Sequence, residues 1–121
     1  MAAILHHLAD NINSISFLVG IIFIIASLIL LRFPPKKINY LYGYRTPSSM
    51  KNQQTWDFSQ KFSAVKMFQV GIVLLATSFL NILVDMSQEQ SLFLGLGLLI
   101  LGCIYMFVVT EKAIKRNFPN E

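Results

Sequence analysis

The sequence predicts an all-α membrane protein: three transmembrane helices, with an amphipathic helix leading into the second span. Three observations predict it. Uncharged apolar runs cover residues 11–31, 67–84 and 91–110. Charged residues make up 13% of the chain and hydrophobic ones 55%, where a soluble domain is about 25% charged. All ten Lys and Arg fall in two segments, the stretch joining the first two runs and the C-terminal tail. Lipid offers the backbone no hydrogen-bond partners, so a spanning segment is either a helix or a strand of a closed barrel. Barrel strands alternate apolar with polar residues, whereas these runs are continuous, so the spans are helices. The length fits one membrane domain over residues 1–121, with spans at about 12–31, 67–84 and 91–110 and a polar motif segment at 32–66.

Residues 1–13 form a weakly polar lead with His6, His7 and Asp10 but no Lys or Arg. A cleaved signal needs a positive start, so none is expected here. The adjacent histidines diverge on a helix and read as a solvated or interfacial turn rather than a metal site. Arg32 ends the first run. Pro34-Pro35 then stops the helix, because proline lacks the N–H donor and restricts the residue before it. Between the second and third runs lies only the link at 85–90, which makes those spans antiparallel neighbours.

The charges set the orientation. Arg32, Lys36, Lys37, Arg45, Lys51, Lys61 and Lys66 lie in or beside the first connection, and Lys112, Lys115 and Arg116 in the tail. The lead and the second link hold only Asp10, Asp85 and Glu89. The positive-inside rule therefore places the N-terminus outside, and the connection and C-terminus in the cytoplasm. The amphipathic helix leading into span two is then cytoplasmic. The net charge of +4 reflects this face, which meets anionic lipid, so nucleic-acid binding is not needed to explain it.

Each span carries two small residues seven apart: Gly20 and Ser27, Gly71 and Ser78, Gly95 and Gly102. Seven residues are two helical turns, so each pair shares a face on which helices can approach closely. Chance is the competing explanation, small residues being frequent in spans. No span interior holds an ionisable residue, which argues against a proton path through the membrane core. Gln69, Thr77, Ser78 and Asn81 are the polar residues of span two, and Ser78 with Asn81 reads as interhelical glue. Cys103, the single cysteine, reads as a buried apolar residue.

The polar connection is the distinctive part. Tyr40, Tyr42 and Tyr44 alternate with other residues, as in a strand or in an extended segment with rings at headgroup level. Gly43 permits a turn or a close backbone approach. Thr46-Pro47 reads as a helix start, Thr as N-cap and Pro as first helical residue. Nothing then interrupts the pattern to Val84, so one helix, bending near Ser63, is expected to run into span two. Ser49, Asn52, Trp56, Ser59 and Ser63 form one stripe on it, with Phe58, Phe62 and Val65 opposite. The stripe has two readings. It is a recognition surface, with Arg45 for an anion or carbonyl, Asn52 and the serines for directed bonds and Trp56 for stacking. Or it is an interfacial helix, with Trp56 anchored among headgroups and Arg45 on lipid phosphate.

No catalytic constellation, metal-ligand spacing or cofactor motif is present, so an enzyme is not expected. The run Pro34-Pro35-Lys36-Lys37-Ile38-Asn39, followed by Tyr42-Gly43-Tyr44-Arg45-Thr46-Pro47-Ser48-Ser49-Met50-Lys51-Asn52 and Trp56, resembles the hallmark of the SdpI family of bacterial integral membrane proteins. The resemblance implies an inner-membrane immunity protein against a secreted sporulation-delaying peptide toxin, which also signals by holding a transcriptional repressor at the membrane. It implies Asn39, Tyr42, Gly43, Tyr44, Arg45, Thr46, Ser49, Asn52 and Trp56 as the functional set. The chain is shorter than the family's founding member and has fewer spans, which bears on both immunity and repressor capture. The expected partners are the lipid bilayer, a peptide toxin and a cytoplasmic regulator. The rival reading is a small-molecule transporter or channel, whose path a homo-oligomer would supply.

Overall fold

The structure, a computed structural model, describes residues 2–3 and 13–119. The His6-His7 turn, with the rest of residues 4–12, and the Asn81 side chain lie outside the described residues. Within them the chain forms four helices and no strand: α1 (Ser14–Arg32), α2 (Gln53–Ser78), the single turn α3 (Leu80–Leu83) and α4 (Gln88–Asn117). The helices α1, α2 and α4 are each long and apolar enough to cross a membrane. The chain is an all-α, multi-pass membrane protein.

Local hydrogen bonding sets the helix ends, and it moves two of them from their expected places. α1 is capped by Asn13, whose Oδ1 accepts from the Ser16 backbone N–H at 3.2 Å. It closes after Arg32 with the Phe33 N–H on the Ile29 carbonyl at 2.7 Å, just before Pro34-Pro35. α2 was expected to start at Thr46-Pro47 but starts six residues later, at Asn52. Thr46 does initiate a turn, in which the Met50 N–H reaches the Thr46 carbonyl at 3.0 Å. The turn does not propagate, because the Ser49 carbonyl accepts the Thr55 hydroxyl at 3.1 Å instead of the amide a continuous helix would supply. Asn52 and Thr55 then form a reciprocal capping box, at 2.9 and 3.2 Å, and the helix restarts there. From Gln53 it runs unbroken through Ser63 to Ser78.

The other end of α2 also falls short of the expected Val84. The Ser78 carbonyl accepts the Asn13 backbone N–H at 2.7 Å, while the Ile82 N–H turns to Phe79 at 3.1 Å. A carbonyl given to a neighbouring segment is lost to its own helix, so α2 stops and α3 completes the run. α4 starts at a second capping box, Ser87 with Gln90, at 3.2 and 3.1 Å. It continues past the apolar run at 91–110 to Asn117, so the first part of the tail is helical.

α1 packs chiefly on α2, and α4 lies against both. The small-residue faces point inward. A Cβ on Gly20 would lie 2.8 Å from the Leu75 backbone nitrogen and 3.0 Å from the Gly71 carbonyl, and one on Gly71 would lie 3.0 Å from the Gly20 carbonyl. Gly102 receives Val70, and Gly95 receives Asn13. Ser27 and Ser78 are fully buried, their hydroxyls donating to the Ile24 and Leu75 carbonyls of their own helices. Large apolar side chains point outward, with Phe93 71% and Leu101 64% exposed. Lipid is as apolar as a leucine side chain, so small surfaces pair and large ones face the bilayer. Cys103 follows the large residues: it is exposed on α4 and not buried as its composition implied.

Replacing Gly20 by Ala forces α1 away from α2, because the obstructing atoms are backbone. Overpacking of this kind costs about 1–3 kcal/mol, and the melting temperature in mild detergent should fall. Gly97, whose added Cβ meets nothing within 4 Å, should tolerate Ala with no loss. Equal melting of the two variants would refute the close approach.

Candidate functional site

Residues 33–52 fold across one end of the bundle and are held there from three directions. The first is α2. Trp56 is 0% exposed, and its indole Nε1–H donates to the Pro35 carbonyl at 2.6 Å. One turn on, the carboxamide of Gln60 grips the Tyr44 backbone. Its Oε1 accepts the Tyr44 N–H at 2.6 Å, and its Nε2–H donates to the Tyr44 carbonyl at 2.7 Å. This two-point grip requires the backbone to lie against the Gln60 side chain, so the preceding residue must be small. Gly43 sits at φ +100, and a Cβ there would collide with Gln60 Oε1 and Pro35. Gln53 adds a bond from Nε2 to the Lys36 carbonyl at 2.6 Å.

The second direction is α4. Glu111, just beyond the apolar run, accepts three hydroxyls from the loop. Tyr44 donates to Oε2 at 2.6 Å, Thr46 to Oε2 at 2.9 Å, and Ser48 to Oε1. Burial alone would raise the Glu111 carboxyl, but the Ser48, Tyr44 and Thr46 hydroxyls, with Lys115 nearby, outweigh it and hold the group below its ordinary value. Burial, and then the hydrogen bond and charge of Glu111, push the Tyr44 phenol well above its ordinary value. The carboxylate is therefore ionised at neutral pH and the phenol remains a donor. The lowered value means that the clamp's contribution is fully present above about pH 4.3, the ordinary glutamate value. It is lost as pH falls through the lower value of the folded protein.

The third direction is internal. Asn39 forms a turn, its Oδ1 accepting the Leu41 and Tyr42 amides at 2.9 and 2.7 Å. The Tyr42 hydroxyl donates to the Phe33 carbonyl at 2.7 Å. Thr46 and Ser49 bond reciprocally, and the Ser49 hydroxyl, fully buried, reaches the Thr46 carbonyl at 3.0 Å. The alternation of the tyrosines makes no strand: Tyr40 points out, Tyr42 folds back on α1, and Tyr44 crosses to α4.

These bonds show where the motif residues sit. Asn52 caps α2, while Ser49 and Trp56 lie inside the loop–helix contact. The stripe of Ser49, Trp56, Ser59 and Ser63 is buried. Trp56 is thus neither a headgroup anchor nor an exposed stacking surface. Arg45, Asn52 and Trp56 do not converge on one pocket. Opposite the stripe, Phe58 stacks on Phe62 and meets Phe118 of the tail edge-on, ring centroids 5.5 Å apart in both pairs. Arg45 is exposed and lines a separate groove of about 490 Å³ between the loop and α1, α2 and α4. Tyr40 and Leu41, at the tip, are 80% and 93% exposed.

Sequence reasoning missed Gln60 and Glu111. Gln60 follows Trp56 by one helical turn, a signal that was available. Glu111 is the carboxylate where the third run meets a basic segment, and only the fold brings it under the hydroxyls. At the opposite end, Asn13 joins three elements: its backbone N–H bonds Ser78, its Oδ1 caps α1, and its Nδ2–H donates to the Ser91 carbonyl at 2.6 Å.

Residues 36–110 match the SdpI/YfhL protein family. The chain is also 39% identical, over 97 residues, to the uncharacterised protein YfhL of Bacillus subtilis (strain 168), an alignment covering 79% of this chain and 82% of that one. No solved structure matches it.

Glu111→Ala removes the acceptor of three loop hydroxyls. In detergent it should speed tryptic cleavage after Arg45 and Lys51 by about tenfold or more, as expected if local opening becomes easier by 1.4 kcal/mol or more. Helical circular dichroism should be unchanged. Unaltered cleavage would mean that the clamp does not hold the loop.

Proposed function

The chain belongs to the SdpI/YfhL protein family, and on that premise we propose that it is a non-enzymatic immunity and sensing protein of the bacterial inner membrane. In this reading it protects the membrane from a secreted peptide toxin and signals to a cytoplasmic regulator. The basic connection and tail face the cytoplasm, as the distribution of Lys and Arg favours. A toxin arriving from outside meets the lipid-facing spans, and the motif loop serves the cytoplasmic side.

One observation carries the proposal. The motif's hydrogen bonds fold the loop on itself and fix it to α2 and α4, while Tyr40 and Leu41 are left outward at its tip. A rigid loop that presents apolar groups suits docking of a partner better than chemistry on a substrate. The Glu111 clamp ties this loop to the end of a span, so a shift of α4 against α2 would alter the docking face. Asn39, Tyr42, Gly43, Tyr44, Thr46, Ser49, Asn52 and Trp56 serve by holding the loop, and Arg45 by presenting a cation.

Expression in a toxin-sensitive bacterium should raise survival on exposure to the peptide toxin. Arg45→Ala and Trp56→Ala should abolish that gain while the protein still inserts, as shown by membrane fractionation. Trp56→Phe, which keeps most of the packing and loses only the Pro35 bond, should retain part of it. No gain from the unaltered chain would overturn the immunity reading. Full protection by both alanine variants would show that the motif has no part in it.

A further inference from the structure

The groove beside Arg45 has no role in the reading above. Its walls come from three helices: Ala26, Ile29 and Leu30 of α1, Met67 of α2 and Met106 of α4. The loop closes one side, with Arg45 the charged residue of the lining. We propose that this groove binds one anionic phospholipid of the surrounding bilayer, its phosphate on the Arg45 guanidinium and its upper acyl chains along the aliphatic wall.

Position, shape and charge favour this occupant. The groove lies where the apolar runs give way to the polar loop, the level at which a spanning segment meets the headgroup region. Its volume of about 490 Å³ is that of a small-ligand site, roughly 300–1,000 Å³, and holds the glycerol phosphate and the first chain segments. The remaining chain length has an apolar surface to follow, since Ile22, Ile25 and Ile29 on α1 are exposed. Methionine suits an acyl chain because its thioether side chain adapts to irregular partners.

The guanidinium is available to an anion. Among the described residues no carboxylate pairs with Arg45. Glu111, the nearby candidate, is already occupied by Tyr44, Thr46 and Ser48. Arg45 is also positioned in advance. The residue before it is gripped by Gln60, and the residue after it bonds Ser49. The backbone on both sides is therefore fixed, so only the Arg45 side chain itself remains to be ordered when phosphate binds bidentately. Inorganic phosphate would satisfy the guanidinium but leave the aliphatic wall uncovered.

The test is native mass spectrometry of the intact chain released from detergent with phosphatidylglycerol or phosphatidylcholine. One phosphatidylglycerol should be retained, about tenfold more tightly than phosphatidylcholine, whose phosphate is the same but whose choline cation offsets the charge that Arg45 attracts. Arg45→Gln should reduce that preference to near unity, whereas Lys61→Gln, an exposed cation outside the groove, should leave it intact. Met106→Trp, which fills the groove and keeps Arg45, should displace the lipid. Equal retention of the two lipids, or retention unchanged in Met106→Trp, would overturn the proposal. So would full competition by inorganic phosphate, which would mean a phosphate site without a lipid, or by an acidic peptide, which would mean a protein-docking site.

Discussion

The bundle depends on the approach of α1 to α2 at Gly20 and Gly71, where a Cβ on either residue would meet the other helix's backbone. In lipid the hydrophobic effect does not drive helices together, so association rests on van der Waals contact and on polar bonds that the bilayer cannot replace. Small residues give backbone-to-backbone packing along the centre. The polar bonds gather at the two ends. Asn13 ties α1 to the end of α2 and the start of α4, and Trp56, Gln60 and Glu111 tie the loop to α2 and α4. The ends hold the register that the smooth apolar middle leaves free.

This division explains how a connection rich in proline and hydroxyls keeps one shape. Its amides and carbonyls must be paired or solvated, and side chains of the helices pair them. Gln60 acts as an amide from a missing strand, giving Tyr44 both a donor and an acceptor. Glu111 does the converse, gathering three side-chain donors on one charge. An isolated surface contact of this kind would contribute little. Three donors converge on a part-buried carboxylate, and their backbone is already held by Gln60 and by the Thr46–Ser49 turn, so much of the entropy that such contacts usually cost is avoided.

The spans and their inward faces were legible because they rest on repeated signals: charge-free length, and small residues two turns apart. The ends of α2 were not. Thr46-Pro47 and Asn52-x-x-Thr55 are both sound helix starts, and the choice between them is made by the Thr55 hydroxyl taking the Ser49 carbonyl. At the other end the competing group belongs to Asn13, far away in sequence. The motif was legible as a unit, yet its polarity misled about its direction. Small hydroxyl residues spaced along one helical face look like a surface presented to solvent. Here Ser59 and Ser63 return their hydroxyls to carbonyls of their own helix, and so present a smooth face on which the loop packs.

The motif is thus two sets of residues that one stretch of sequence intermixes. Gly43, Tyr44, Thr46, Ser49, Asn52 and Trp56 direct their bonds inward. Tyr40, Leu41 and Arg45 project from the frame those bonds create. The two sets respond differently to substitution, because loss of a holding residue moves everything the loop presents, while loss of a presenting residue leaves the frame in place. Arg45 sits at the junction, between a gripped residue and a capped one, with an aliphatic groove beside it. The same loop ends in α2 and touches α4. A lipid in that groove would therefore be joined to the helix packing and the exposed tip through one short stretch of backbone, with Gln60 and Glu111 as its two fixed points.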